Sequence, residues 1–204
     1  MIDVQILPSV ETYGSNCYLI SSADEYAVID PSADYLSALR RFPQIKGRLK
    51  YVLITHAHFD HILTLDQWAA ACDGQVYVGK DDALGLADST INCYLGFLGI
   101  DQGYRGEYTT VADGDSLTLG DDVITVIGCP GHTPGGVSYK IGDRIFCGDT
   151  VFAGGGYGRC DLPGGDIEAL EKTLIKLITH ISDGVFYPGH GPSTTLQEIV
   201  YNFM

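Results

Sequence analysis

Short runs of apolar residues, separated by glycine, serine and aspartate, recur along both halves of the chain. Runs of this kind between turn-forming residues are typical of β-strands. In the first half they predict strands at 4–7, 17–20, 26–29, 51–54 and 75–78. In the second half they predict strands at 116–119, 122–127, 136–141, 144–147 and 185–187.

Longer segments between these strands place apolar residues three or four positions apart, which predicts amphipathic helices. The clearest is 166–178, where Asp166 is the expected N-cap and one stripe carries Ile167, Leu170, Leu174 and Leu177. Further helices are predicted at about 33–42, 62–72 and 195–202. Because both halves alternate strands with helices, we expect two similar α/β layers around one core, in a single domain spanning residues 1–204.

The 81–108 segment follows no such period. It mixes large apolar side chains with five glycines and few charges. We interpret it as an excursion that covers a pocket or an interface, with ordinary core packing as the alternative.

Composition and charge exclude several classes of function. The 26 acidic and 12 basic residues give a formal charge of −14, and no basic cluster is longer than Arg40 and Arg41, so we expect no nucleic-acid partner. No apolar stretch is long enough for a membrane span, and the first residues lack the charge pattern of a signal peptide. The six cysteines form no CxxC motif, which indicates reduced thiols and a cytoplasmic protein.

The densest chemical signal directly follows the predicted strand 51–54. His56 and His58 alternate along an extended chain, so both side chains can point the same way, and Asp60 and His61 follow as the chain turns. Imidazole and carboxylate groups are ligands for Zn, Mn or Fe. The spacing therefore predicts a metal site, against the alternative of a solvated polar loop.

Three more residues of ligand type follow predicted strands later in the chain. They are His132 in Cys-Pro-Gly-His, Asp149 in Cys-Gly-Asp and His190 in Pro-Gly-His. Each alone is typical of a turn. Loops at strand ends are where sites form, however, and His180 is the only other histidine.

The order His-x-His-x-Asp-His, then His, Asp and His, resembles the metallo-β-lactamase superfamily, and the match runs from Asp30 to His190. The resemblance implies an α/β fold (α+β in some schemes), a four-layer αββα sandwich with metals at one edge of its two sheets. It assigns a first metal to His56, His58 and His132, a second to Asp60, His61 and His190, and Asp149 to both.

This ligand set implies two divalent metal ions, with zinc as the first expectation and iron or manganese as alternatives. A hydroxide that bridges the metals would attack an ester or thioester. Asp60 and Asp149 would be catalytic, because they orient the hydroxide and accept its proton. Asp30 would orient the ligands, or it is simply a turn residue before Pro31.

The loop 148–166 contains Gly-Arg-Cys-Asp-Leu-Pro-Gly-Gly-Asp and resembles short glyoxalase II-like proteins, the hydroxyacylglutathione hydrolases. The resemblance implies a thioesterase that acts on a small, anionic thioester, with Arg159 binding the substrate. Alternatively, Arg159 is a surface residue paired with Asp161. The alternatives for the function are a mononuclear iron persulfide dioxygenase, a lactonase and a non-catalytic metal-binding module, and the oligomeric state is left open.

Overall fold

The computed structural model describes residues 2–72 and 75–203, which form two six-stranded sheets. The first sheet contains, in spatial order, β1 (Asp3–Leu7), β2 (Cys17–Ser22), β3 (Glu25–Ile29), β4 (Leu49–Ile54), β5 (Val76–Gly79) and β6 (Thr109–Val111). The first three strands are antiparallel neighbours, and β3 to β6 run parallel. Parallel strands end at the same edge, so the loops that leave β3 and β4 lie close together.

The second sheet is built from the second half of the chain. Its spatial order is β12 (Thr194–Thr195), β11 (Val185–Pro188), β10 (Arg144–Gly148), β9 (Val137–Ile141), β8 (Asp122–Gly128) and β7 (Ser116–Leu119). Only the β10–β11 pair is parallel among these described strands. The predicted strands are therefore confirmed, and β6 and β12 are short additions at the sheet edges.

The helices are α1 (Tyr35–Arg41), α2 (Leu65–Ala71), α3 (Tyr94–Leu98), α4 (Ile167–His180) and α5 (Leu196–Phe203). Asp166 caps α4, since its carboxylate accepts a hydrogen bond from the backbone N–H of Ala169 at 3.1 Å. Ile167 is 44% exposed, so its predicted place on the buried stripe is wrong. It is the first residue of α4. The helix predicted from residue 62 begins only at Leu65.

Three apolar clusters separate four layers, and the central cluster, between the two sheets, is the core that both α/β layers share. Side chains alternate between the two faces of β4, so this one strand contributes to two of the clusters. Val52 and Ile54 belong to the cluster shared with α1 and α2, whereas Tyr51 and Leu53 belong to the cluster between the two sheets. The third cluster joins the second sheet to α4 and α5. The predicted αββα sandwich is thereby confirmed, because each sheet buries both of its faces.

Part of the 81–108 segment packs into the core, and the cover over a pocket or an interface stays a prediction. The segment begins in a 3-10 helix, Lys80–Leu86, and continues through the short α3, which explains why no single period runs through its sequence. Leu86, Tyr94 and Tyr104 pack into the cluster beside α1 and α2. Other large apolar residues stay exposed, among them Leu84, Ile91, Leu95, Phe97 and Ile100.

Within residues 2–72 and 75–203, none of the helices combines the length and the apolar character that crossing a bilayer would require.

Candidate metal centre

The loops at the ends of four strands converge at one edge of the sandwich. His56 directly follows β4, Asp149 follows β10 and His190 follows β11, while His132 lies in the loop between β8 and β9. A 3-10 turn, Phe59–His61, continues the β4 loop. The predicted ligands all fall into groups whose ligand atoms lie within 4.8 Å of one another: His56, His58, Asp60, His61, His132, Asp149 and His190.

His56, His58 and His132 form the first cluster, which is buried. His58 Nδ1 lies 2.9 Å from His132 Nε2, and His132 Nε2 lies 3.2 Å from His56 Nε2. Nitrogen atoms that share a tetrahedral zinc ion at about 2.0–2.1 Å stand roughly 3.3 Å apart. The spacing of these three nitrogens therefore fits a single metal ion between them.

Hydrogen bonds on the far side of the rings strengthen this conclusion. His132 Nδ1 lies 2.7 Å from the Arg159 carbonyl, which can only accept, so Nδ1 carries the proton. His56 Nδ1 faces the Thr55 hydroxyl at 3.2 Å, and that hydroxyl donates its own hydrogen to Asp30. Both Nε2 atoms thus present lone pairs to each other, an arrangement that a cation between them stabilises.

Asp60, His61 and His190 form the second cluster. His190 Nε2 lies 3.0 Å from Asp60 Oδ2, and His61 Nε2 lies 3.7 Å from the same oxygen. His61 Nε2 is buried without a hydrogen-bond partner among the described residues. His61 donates from Nδ1 to Asp30, so the unpartnered Nε2 is the ring nitrogen that faces the centre.

Asp149 lies between the two clusters, and its carboxylate faces histidines of both. Its Oδ1 atom is 3.4 Å from His61 Nε2, and its Oδ2 atom is 3.7 Å from His132 Nε2 and 3.7 Å from His190 Nε2. The chain can approach this closely because residue 189 is glycine, since an added Cβ would clash with Asp149 Oδ1 and the His61 ring. This placement is the one expected of a carboxylate shared by two metals.

Electrostatics differ between the two clusters. Burial and the neighbouring histidines lower the pKa of His56 well below its usual value and lower the pKa of His58 to about 3. Both rings are therefore neutral, the form that binds metals. Burial also disfavours charge on His61, but Asp30, Asp60 and Asp149 outweigh it and raise the pKa of His61 well above its usual value. The second cluster thus attracts positive charge.

Asp30, at the end of β3, supports both clusters. Its carboxylate accepts hydrogen bonds from the Thr55 backbone at 2.8 Å, the Thr55 hydroxyl at 2.7 Å and His61 Nδ1 at 2.9 Å. The residue is buried and has a φ of 51°, which is uncommon for a side chain larger than glycine. These contacts confirm the prediction that Asp30 orients ligands.

Asp82 has a similar role that the sequence did not reveal. Its buried carboxylate accepts hydrogen bonds from the backbone of Ala57 at 3.1 Å and Gly135 at 2.6 Å, and from the Thr133 hydroxyl at 2.8 Å. Burial raises its pKa, although these three bonds act in the opposite direction. Asp82 therefore ties the His56–His58 loop to the His132 loop. Because it follows Lys80 and Asp81 in the sequence, it resembled part of a solvated charged run.

Arg159 lies near the centre but outside both clusters. Its side chain is 54% exposed and makes two 2.6 Å hydrogen bonds to Asp161, and its guanidinium lies 5.9 Å from the centre of the Phe97 ring. The pairing with Asp161 is therefore confirmed. Substrate binding by Arg159 stays a prediction, and its backbone carbonyl contributes separately by orienting His132.

Comparisons with known sequences agree with this geometry. The chain is 34% identical over 185 residues to the "Probable metallo-hydrolase YqgX" of Bacillus subtilis, a match that covers 88% of this chain and 86% of the relative. It is 28% identical over 203 residues to the "Hydroxyacylglutathione hydrolase GloC" of Haemophilus influenzae, covering 97% and 94% respectively.

Solved structures have the same fold. BLEG-1 B3 metallo-beta-lactamase matches with a TM-score of 0.86 and 27% identity over the whole of both chains. The di-iron-bound form of TTHA1623 matches with a TM-score of 0.81 and 29% identity, covering 97% of this chain and 98% of that one. ETHE1 from Myxococcus xanthus matches with a TM-score of 0.72 and 25% identity, covering 96% and 80%.

The family model described as "Metallo-beta-lactamase superfamily" matches residues 10–196. That range contains every residue of both clusters and both supporting aspartates. The chain therefore belongs to the metallo-β-lactamase superfamily.

Proposed function

We propose that the chain is a hydrolase that holds two divalent metal ions and cleaves a thioester or ester bond, as a glyoxalase II-like thioesterase. The observation that carries the proposal is the position of Asp149, whose carboxylate faces histidines of both clusters. Two adjoining sets of ligand-type side chains, with Asp149 between them, are what two metal ions would need. Zinc is the proposed metal, and iron or manganese would suit the same imidazole and carboxylate groups.

Two metals bound here would supply Lewis acidity, which polarises a carbonyl and makes a water molecule acidic enough to attack it near neutral pH. The protein's own contribution is to place carboxylates beside that water. Asp60 and Asp149 can orient it and accept its proton, because the histidines around them keep both carboxylates ionised. Burial raises the pKa of Asp149, but His61, His190 and His132 outweigh it and lower the pKa overall.

The proposed substrate is a small thioester whose thiol half is anionic. The similarity to a hydroxyacylglutathione hydrolase supports this class, because the thiol named there carries carboxylates. Arg159 is the proposed contact for that half, since a guanidinium pairs well with a carboxylate. Asp161 already accepts two hydrogen bonds from Arg159. The substrate carboxylate would therefore have to replace Asp161 or bind the guanidinium alongside it.

The experiment that tests this function is thiol release from S-acyl glutathione by the zinc-loaded protein. We expect turnover that disappears in Asp60→Ala and persists in Asp66→Ala, a control that alters an aspartate in the first turn of α2. Absence of hydrolysis with zinc, iron and manganese alike would overturn the thioesterase assignment. It would leave the superfamily membership intact.

A mononuclear iron persulfide dioxygenase is the second candidate. His56, His61 and Asp149 have ligand atoms within 4.8 Å of one another, and two histidines with one carboxylate are typical of mononuclear iron oxygenases. Oxygen consumption with glutathione persulfide, by protein that holds about one iron, would favour this candidate over the hydrolase.

We further propose that residues 1–204 act as one domain on a small molecule in the cytoplasm. The formal charge of −14 disfavours nucleic acid and anionic membrane surfaces as partners.

A further inference from the structure

A cavity of about 220 Å³ opens beside His58, on the side of the first cluster. Its walls come from four parts of the chain that the fold brings together, the first being the loop of Ala57 and His58. Leu84 and Ile91 belong to the 81–108 segment, Pro134 to the loop that carries His132, and Pro163 to the loop that follows Arg159. The cavity is therefore next to the reacting centre and is lined mainly by apolar side chains.

The charges around this cavity argue against an anionic ligand. Among the residues that the structure describes, neither lysine nor arginine lines it. Asp82 lines it, but its carboxylate is engaged by Ala57, Thr133 and Gly135. Asp81, the other acidic residue, is exposed at the rim. A carboxylate at the end of an acyl chain placed here would meet negative charge and no lysine or arginine among the described lining residues.

The exposed apolar surface is the second observation. Leu84 is 75% exposed and Ile91 is 38% exposed, although both belong to a segment that otherwise contributes to the core. Apolar walls around a concave space of this size are typical of ligand pockets. An apolar cavity of about 150 Å³ holds benzene, so 220 Å³ suffices for an alkyl chain of about six carbons.

We propose that this cavity, the acyl pocket, binds an uncharged alkyl chain on the acyl side of the substrate. The inference rests on the proposed thioesterase function and narrows it. Arg159 does not line the pocket, so an anionic thiol half and an apolar acyl half would bind in different places. The preferred substrate is then a medium-chain alkanoyl thioester, and not one with a short hydroxyacyl or dicarboxylic acyl group.

The first test compares acyl groups on one thiol, so that contacts to the thiol half stay constant. Acetyl, 2-hydroxypropanoyl, butanoyl, hexanoyl and succinyl glutathione are hydrolysed by the zinc-loaded protein, and thiol release is measured. Because each buried methylene is worth about fourfold, we expect kcat/KM to be at least about tenfold higher for hexanoyl than for acetyl. Succinyl should react more slowly than butanoyl. A flat series, or a preference for the succinyl or hydroxyacyl group, would overturn the proposal.

The second test removes the apolar walls. In Leu84→Ser and Ile91→Ser the ratio of hexanoyl to acetyl kcat/KM should fall by about fivefold or more. Leu95→Ser is the matched control, because Leu95 is an exposed leucine of the same segment that lies outside the pocket lining. The control should keep the wild-type ratio. An unchanged ratio in both pocket variants, or an equal change in the control, would contradict the assignment.

A binding measurement separates the pocket from the proposed function. Hexanoate and acetate are titrated into metal-loaded protein whose isoleucine methyl groups are labelled. The NMR signals of these methyl groups are followed. We expect the Ile91 signal to shift saturably with hexanoate and much less with acetate, while Ile175, exposed on α4, stays unchanged. If thioesters are not hydrolysed but Ile91 responds, only the thioesterase function fails. If thioesters are hydrolysed and Ile91 responds to neither acid, the acyl pocket fails.

Discussion

The two halves of the metal centre are built differently. The first cluster consists of three buried histidines whose ring nitrogens face one another, and the pKa values of His56 and His58 are lowered. The second cluster contains a carboxylate, attracts positive charge, and includes His190, which is 39% exposed. Metal binding at the first cluster would depend on the placement of imidazole nitrogens. Metal binding at the second cluster would depend on attraction between charges, and this cluster is partly exposed to solvent. We therefore expect the first metal to be held more firmly than the second.

The supports of the two clusters differ in the same way. Asp82 makes no hydrogen bond to the histidine rings of the first cluster. Its carboxylate instead accepts hydrogen bonds from the loops that carry them, at the Ala57 and Gly135 backbone and the Thr133 hydroxyl. Asp30 bonds directly to the ring of His61 in the second cluster. Changes at Asp82 should therefore affect the first cluster alone. Changes at Asp30, which also holds Thr55 beside His56, and changes at Asp149 should affect both clusters.

Asp149→Ala should have the largest effect, because it removes the only predicted ligand that faces both clusters. We expect thioester hydrolysis to fall by about a thousandfold or more, since each tenfold corresponds to about 1.36 kcal/mol of transition-state stabilisation. Asp143→Ala is the matched control, because Asp143 is an exposed aspartate that pairs with Arg144. Thiol release and circular dichroism would check both variants. Activity within tenfold of wild type in Asp149→Ala would show that a shared carboxylate is not needed.

Asp60→Ala should affect the second cluster alone. We expect activity well below a tenth of wild type, with about one metal ion lost per chain and the fold retained, because Asp60 lies in the loop at the edge and outside the three apolar clusters. Metal analysis and thermal unfolding would measure this. Retention of more than about a tenth of the activity would contradict the catalytic role of Asp60.

Asp82→Asn should loosen the first cluster. An amide has one acceptor oxygen where the carboxylate has two, so it cannot satisfy the same three donors. Loss of hydrogen bonds that orient metal ligands typically costs about 10–100-fold in metal affinity or activity. The neighbouring substitution Asp81→Asn changes the same charge at an exposed position and should have little effect. Zinc affinity, measured by competition with a chelator, would distinguish the two variants, and equal affinities would argue against the positioning role.

Arg159→Ala should have the smallest effect, since its side chain belongs to neither cluster. We expect a rise of about threefold to tenfold in KM for S-acyl glutathione, with kcat and metal content little changed, because uniform binding is lost. The carbonyl that orients His132 remains in the variant. A neutral thioester should be unaffected. An equal loss in kcat for both substrates would indicate a structural role for Arg159.

The sequence predicted what depends on local pattern. The apolar run 51–54 predicted a strand, and the spacing of His56, His58, Asp60 and His61 predicted ligands on one loop. The family resemblance then identified, position by position, the remaining predicted ligands, which lie on distant loops. Asp82 could not be predicted, because its importance comes from contacts to residues 25 to 53 positions away. The acyl pocket likewise needs four separate segments to meet, which no local pattern encodes.

The number of metal ions per chain, measured in wild type and in His190→Ala, tests the two-cluster account most directly. His190 is the most exposed member of the second cluster, so its removal should release one ion without disturbing the first cluster. We predict about two ions per wild-type chain and about one in the variant. A value near one in both proteins, with oxygen consumed when a persulfide is supplied, would contradict the account and favour the single-iron dioxygenase.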